Sequence, residues 1–193
     1  MVKQERAART RQALIRAGAE VFTEEGFTLA SLATISRRAG VSRGALHFHF
    51  ENKKVLADAV VEEAATAVAR MTGEAEGAGD ALAALVAATH GLMGKLADDT
   101  VVRAGFELSG GPVRGTDAAL RRQWQSWVEG TLERAERDGL LADGTSSERA
   151  APAIVAATVG FEVLGARDPE WLSGERMARF WELMLPRLAA ATR

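Results

Sequence analysis

The chain has 193 residues, 47% of them hydrophobic and 26% charged, ordinary values for a globular protein of one medium domain or a small head on a larger body. It has no cysteine, which excludes disulfides and thiolate metal sites, and no apolar run long enough to span a membrane. The formal charge of −2 hides an asymmetry: residues 1–56 carry ten basic and five acidic side chains, +5, which leaves −7 for the rest. The N-terminal MVKQERAARTRQ is basic with no apolar stretch behind it, so no secretory signal is expected and a cytoplasmic location is. Helical spacing then begins and hardly stops. A first helix is predicted over 6–25, with Leu14, Ile15, Gly18, Ala19 and Phe22 on one stripe and Gly26 as a C-terminal cap. A short helix over 32–39 follows, N-capped by Ser31 with no capping box, because Thr34 stands at the third position. After the Gly40-Val41 turn, Ser42 caps a third helix over 43–50, and Asn52 caps a long fourth one reaching 72. GEAEGAGD at 73–80 is a glycine-rich break. Further helices are expected at 80–97, 101–109, 116–138, 147–165 and 174–191, separated by Asp98-Asp99, Gly110-Gly111-Pro112, Gly139 to Gly144 and Ala166 to Pro169. The expected fold class is all-α, with about nine helices and no sheet.

The most informative stretch is SLATISRRAGVSRGALHFHFENKKVL, residues 31–56. Two short helices can cross steeply only where the contact is small, and Ser36 provides that. Gly40, four residues on, turns the chain without a Cβ penalty. Ile35, Val41 and Leu46 are placed to close a small core against Phe22, Phe27 and Phe50. That is the pattern of a helix-turn-helix, and the basic head fits it, since such a motif meets phosphate.

On these residues the segment resembles the DNA-binding domain of the tetracycline-repressor (TetR) family. A signature similar to GVSRGALHFHFENK joins the recognition helix to the fourth helix, and the likeness covers residues 10–56. His47 stands where the family usually has tyrosine, and Lys54 where an acid is commoner. The resemblance implies a head at 1–50 that reads DNA and a body at 51–193 that binds a ligand and dimerises, joined by the helix at 52–72. The third helix would enter the major groove. Arg43 is the candidate for a guanine edge, Gly44 and Ala45 allow close approach, and Ala45 can touch a thymine methyl. Ser42, His47, His49 and Lys53 are candidate phosphate anchors, with Arg37 or Arg38 at the flank, and Ser31 and Phe48 are further DNA-binding candidates. Packed ring side chains are the other, less favoured reading of His47 and His49. Two residues apart on a helix they share no face, so no metal site is expected.

The family likeness also implies a homodimer on a pseudo-palindromic operator. The last two helices have broad apolar faces, Ile154, Val155, Thr158, Phe161 and Leu164 on one, and Met177, Phe180, Trp181, Met184 and Leu188 on the other. In the family such helices pair with their copies; completing the protomer core is the other reading. Trp124 and Trp127, three apart, share a helix face, which by itself suits a core more often than a ligand box. VVRAGFELS (101–109) and QWQSWVEGTLERAERDGLL (123–141) are similar to the γ-butyrolactone autoregulator receptors of actinomycetes, except that Glu107 stands where a basic residue is expected. That likeness implies an indole over a small lactone, from Trp127 or Trp124. Leu92, Met93, Phe106, Val155, Thr158 and Phe161 are the candidate walls, and His90 and Glu162 the candidate polar anchors. An orphan regulator, or a drug- or antibiotic-sensing repressor of an efflux or biosynthetic gene, remains the alternative. No nucleophile elbow, phosphate loop, dinucleotide fingerprint or cofactor motif occurs, so no catalytic residue is assigned and an enzyme is not expected.

Overall fold

The computed structural model describes residues 2–110 and 119–190. Among these, nine α-helices occur: α1 (Val2–Leu29), α2 (Leu32–Arg38), α3 (Arg43–His49), α4 (Lys53–Ala75), α5 (Ala81–Asp98), α6 (Thr100–Gly110), α7 (Ala119–Arg137), α8 (Ser147–Gly165) and α9 (Gly174–Leu188). Two short 3-10 turns, Glu76–Ala78 and Pro169–Leu172, complete the path. No strand forms among the described residues. One isolated antiparallel bridge joins Leu141 to Ala189, so the last helix stops three residues short of the range expected from spacing. The expected break at Gly111-Pro112, the first residues of the seventh helix at 116–118, and residue 191 lie outside the described residues.

The helix ends form for local reasons. Ser31 accepts from the Thr34 amide at 3.0 Å, Ser42 from the Ala45 amide at 3.2 Å, Asn52 from the Val55 amide at 3.0 Å and Asp80 from the Ala83 amide at 2.9 Å. Each satisfies one donor that a helix start leaves open. Gly26 is a kink within α1 (φ 75°, ψ 155°) and not its last residue. One more turn follows before α2 begins. The glycine-rich 73–80 segment is also more helical than its composition suggests, because α4 runs on through Gly73 to Ala75.

The chain packs as two compact units, Met1–Thr66 with Thr100–Arg121, and Ala67–Asp99 with Arg122–Arg193. In the first, Leu14, Ile15, Phe22, Ile35, Leu46, Phe50, Leu56 and Val60 form one buried core. Ala104 and Leu108 of α6 join that core. α6 approaches α4 so closely that a Cβ on Gly105 would collide with the Ala64 Cβ. Neither partnership is visible in the local pattern of α6.

The second unit contains two similar polar ties. The Trp181 indole N–H donates to Thr89 Oγ1 at 2.7 Å, joining α9 to α5. The Trp124 indole N–H donates to Thr158 Oγ1 at 2.9 Å, joining α7 to α8. Both threonine hydroxyls pass their own proton to a carbonyl one turn back, Val86 or Ile154. In each of these two ties a buried hydroxyl and a buried indole satisfy one another, which removes the cost of burying either alone.

Candidate nucleic-acid interface and effector cavity

α3 has only seven residues, and what holds it is its apolar side. Leu46 and Phe50 are buried, while Ser36 beneath the crossing is 5% exposed and Gly40 takes φ 67° in the turn. Buried Leu46 and Phe50 leave the opposite side to solvent: Ser42, Arg43, Gly44, His47 and Phe48 are exposed, with Ala45 and His49 half-covered. Phe48 is 81% exposed, an unusual state for a phenylalanine, and the edge of its ring meets His49 with centroids 5.1 Å apart. Cation, imidazole, small residue and aromatic ring thus share one accessible face of a slender helix. That face matches the donor and apolar features that base edges present in the major groove.

The flanking candidates divide. Ser31 and Arg37 are exposed, though Ser31 Oγ already accepts the cap bond and lies 2.9 Å from Thr34 Oγ1. Arg38 is committed to α1, its guanidinium 2.6 Å from a Glu24 carboxylate oxygen and 3.6 Å from Glu20. The hydrogen bond from Arg38 holds the Glu24 carboxyl below its ordinary range and raises Arg38 in turn. Lys53 is half-buried, and its ammonium donates to the backbone carbonyls of Phe27, Thr28 and Ala30.

In the second unit, Trp124 and Trp127 stack at 5.5 Å with their planes 21° apart. Their roles differ. Trp124 is fully buried and its N–H is bonded to Thr158. Trp127 is half-buried, yet its indole nitrogen is shielded from solvent and has no hydrogen-bond partner. A buried donor left open costs free energy that a bound acceptor can recover. Met93 and Thr158 are buried, Val155, Phe161 and Glu162 half-buried, and Leu92 is buried on α5. His90 is half-buried, with Nδ1 3.0 Å from the Val86 carbonyl of its own helix. Phe106 is buried in the first unit.

The dimer candidates need revision. Ile154, Met177, Trp181 and Leu188 are buried inside the protomer, at most 3% exposed, and a side chain already enclosed has no surface left for a second copy. Phe161, Phe180 and Met184 are half-buried, and Phe161 and Phe180 touch edge to face at 5.8 Å. What α8 and α9 expose is Val163, Leu164 and Leu183, at 52%, 44% and 75%. Of these the sequence pattern selected only Leu164. Apolar spacing marks a helix's broad stripe, and both the core and an interface draw on it; the solvent side of that stripe becomes visible only after the core is filled.

Comparison with known proteins agrees with this geometry. Residues 14–60 match the profile of the bacterial regulatory proteins of the tetR family. Over 194 aligned residues, 98% of this chain and 67% of the relative, the sequence is 31% identical to the A-factor receptor protein of Streptomyces griseus. A crystal structure of a gamma-butyrolactone receptor (ArpA like protein) superposes with a TM-score of 0.80 at 29% identity, covering 95% of this chain and 90% of that one. CprB from Streptomyces coelicolor in complex with its biological operator sequence superposes at 0.76 with 30% identity, covering 95% and 90%.

Proposed function

The chain belongs to the TetR family of bacterial regulatory proteins, and from that premise we propose that it represses transcription as a dimer on a pseudo-palindromic operator and leaves it when a small apolar effector binds. It is a transcriptional regulator and not an enzyme. The observation that carries the DNA assignment is the exposed row Arg43, Gly44, His47 and Phe48 on a helix whose other side is locked by Leu46 and Phe50. Residues 1–50 supply the reading head, and residues 51–193 the effector site and the dimer contact. No described helix is long and apolar enough to cross a membrane, which agrees with action in the cytoplasm.

For the effector, the unpartnered Trp127 N–H beside a stacked indole pair favours a small, largely apolar molecule with one well-placed acceptor. A γ-butyrolactone has that chemistry, with a carbonyl on a compact ring and an apolar tail. Trp127 takes the contact role and Trp124 the supporting one, since the Trp124 N–H is already bonded. Exposed Val163, Leu164 and Leu183 supply the apolar surface for a second copy. Release follows from linkage. An effector that prefers one arrangement of the body draws the population away from the spacing DNA requires, about 34–36 Å between recognition helices. Operator DNA then weakens effector binding by the same factor.

The test is a gel-shift titration with duplex from upstream of the protein's own gene, with and without a γ-butyrolactone, read alongside tryptophan fluorescence. Specific binding, lactone release and quenching of the indole signal are the expected results. Release by cationic drugs and not by lactones would make the chain a drug-sensing repressor. Binding with no response to either would make it an architectural or orphan regulator.

A further inference from the structure

Side chains do not fill the surface between α2 and α3. Leu32 and Ala33 of α2, with Arg43, Leu46 and His47 of α3, line a notch of about 260 Å³. Its floor is apolar. Leu46 is buried, Leu32 and Ala33 are half-buried, and Leu32 packs on the core of the first unit. Its rim is polar: Arg43 and His47, four residues apart on α3 and so neighbours on one face, are both exposed.

The chemistry of the floor follows from three residues. Ala33 has no atom beyond Cβ with which to fill the space. The two hydroxyls next to the notch in sequence are engaged elsewhere, because Ser31 Oγ caps α2 on the Thr34 amide and Ser42 Oγ caps α3 on the Ala45 amide. Below the rim the side-chain surface is therefore aliphatic, and it is continuous with the exposed row of α3.

An apolar hollow beside a base-reading row calls for an apolar group on the base edge. The major groove offers one, the C5-methyl of thymine, which cytosine also carries when methylated. An anionic oxygen seated against Leu32, Ala33 and Leu46 would lose hydration and gain no side-chain donor from the floor. Arg43 limits the position further. Its guanidinium reaches a guanine from the rim, so the methyl in the notch belongs to a neighbouring base pair.

We propose that the notch takes the C5-methyl edge of a pyrimidine beside the base that Arg43 reads. This makes Leu32 and Ala33 of α2 specificity-determining residues alongside those of α3. The proposal rests on α3 being the DNA-reading element.

The test compares duplexes that differ by one methyl group. At each position of one operator half-site, binding of the full chain is measured with thymine against uracil, and with 5-methylcytosine against cytosine. A position next to the one whose base preference Arg43→Ala relaxes should favour the methylated member of both pairs about fourfold, the worth of burying one methyl group. Ala33→Val puts a larger side chain into the notch, and Ala33 lies outside the buried core of the first unit. That variant should bring the preference to one or below. Phe48→Ala should keep it, losing only the effect of a methyl beside its own ring.

Specific binding with equal affinity for both members of every pair overturns the proposal. So does a methyl preference that folded Ala33→Val leaves intact. Should Ala33→Val not fold, the paired duplexes with wild-type protein decide alone. Wild-type protein that bound operator no better than random duplex would remove the reading role of α3 and the notch with it, an outcome distinct from specific binding that ignores the methyl.

Discussion

Arg43 and Phe48 differ in what they ask of DNA, and each can be tested by removing one feature. Arg43 presents a fork that matches guanine O6 and N7. Arg43→Ala should cost about 1–3 kcal/mol on the operator and relax preference at one base position; equal losses on operator and random duplex would deny it a reading role. Phe48 is largely exposed in the protein, and a thymine methyl would bury part of its ring. Replacing operator thymines with uracil removes only that methyl. The exchange should weaken wild-type binding by about 1 kcal/mol per contacted methyl and leave a Phe48→Ala variant indifferent. In the second unit, Trp127→Phe keeps a ring over Trp124 and deletes the open N–H. Effector affinity should fall by about 1 kcal/mol, one neutral hydrogen bond, with operator affinity unchanged. If effector titration gives the wild-type midpoint, the indole proton is not used. The sequence narrowed the choice to two indoles. The Thr158 hydroxyl, 34 residues away along the chain, occupies the N–H of one of them, Trp124.

At the scale of elements, two contacts join helices through features that no local pattern signals. Ser146 makes no side-chain cap at the start of α8. Instead the Glu136 carboxylate of α7 accepts from the Ser147 amide at 3.1 Å and from the Ser147 hydroxyl. Those bonds hold the Glu136 carboxyl below its ordinary range. A carboxyl depressed by folding contributes stability above its unfolded value, and that contribution is lost as pH falls through the folded value. Wild-type protein should therefore lose more stability than Glu136→Gln between neutral and acid pH, as followed by denaturant midpoints. Parallel pH profiles would refute the cap. The second contact is the close passage of α6 over α4 at Gly105 and Ala64. Gly105→Ala would force the helices apart at about 1–3 kcal/mol, the usual cost of overpacking, visible as a lower melting point. A Cβ accepted at no cost would mean that α6 can shift freely.

For the molecule as a whole, the exposed Leu183 offers a test of assembly that spares the protomer. Leu183→Glu should leave helicity and melting of the protomer intact, convert a dimer to a monomer in size-exclusion chromatography, and reduce operator binding to that of a half-site. A variant that remains dimeric would place the contact elsewhere. The charge asymmetry belongs at this scale too, since +5 on residues 1–56 against −7 on the rest favours approach to DNA through the N-terminal segment and makes specific affinity steeply salt-dependent. The all-α class, most of the helix boundaries, the caps at Ser31, Ser42 and Asn52 and the crossing at Ser36 and Gly40 were all legible in the sequence. Each depends on residues within a few positions of one another, where steric and hydrogen-bonding rules act alone. What only the tertiary structure decided lies between distant residues. It turned Lys53 inward, paired Arg38 with Glu24, separated Trp127 from Trp124 and sorted the apolar stripes of α8 and α9 into core and surface. A side chain's burial and its hydrogen-bond partners are properties of what packs against it, and periodicity along one helix carries no record of the neighbour that will do so.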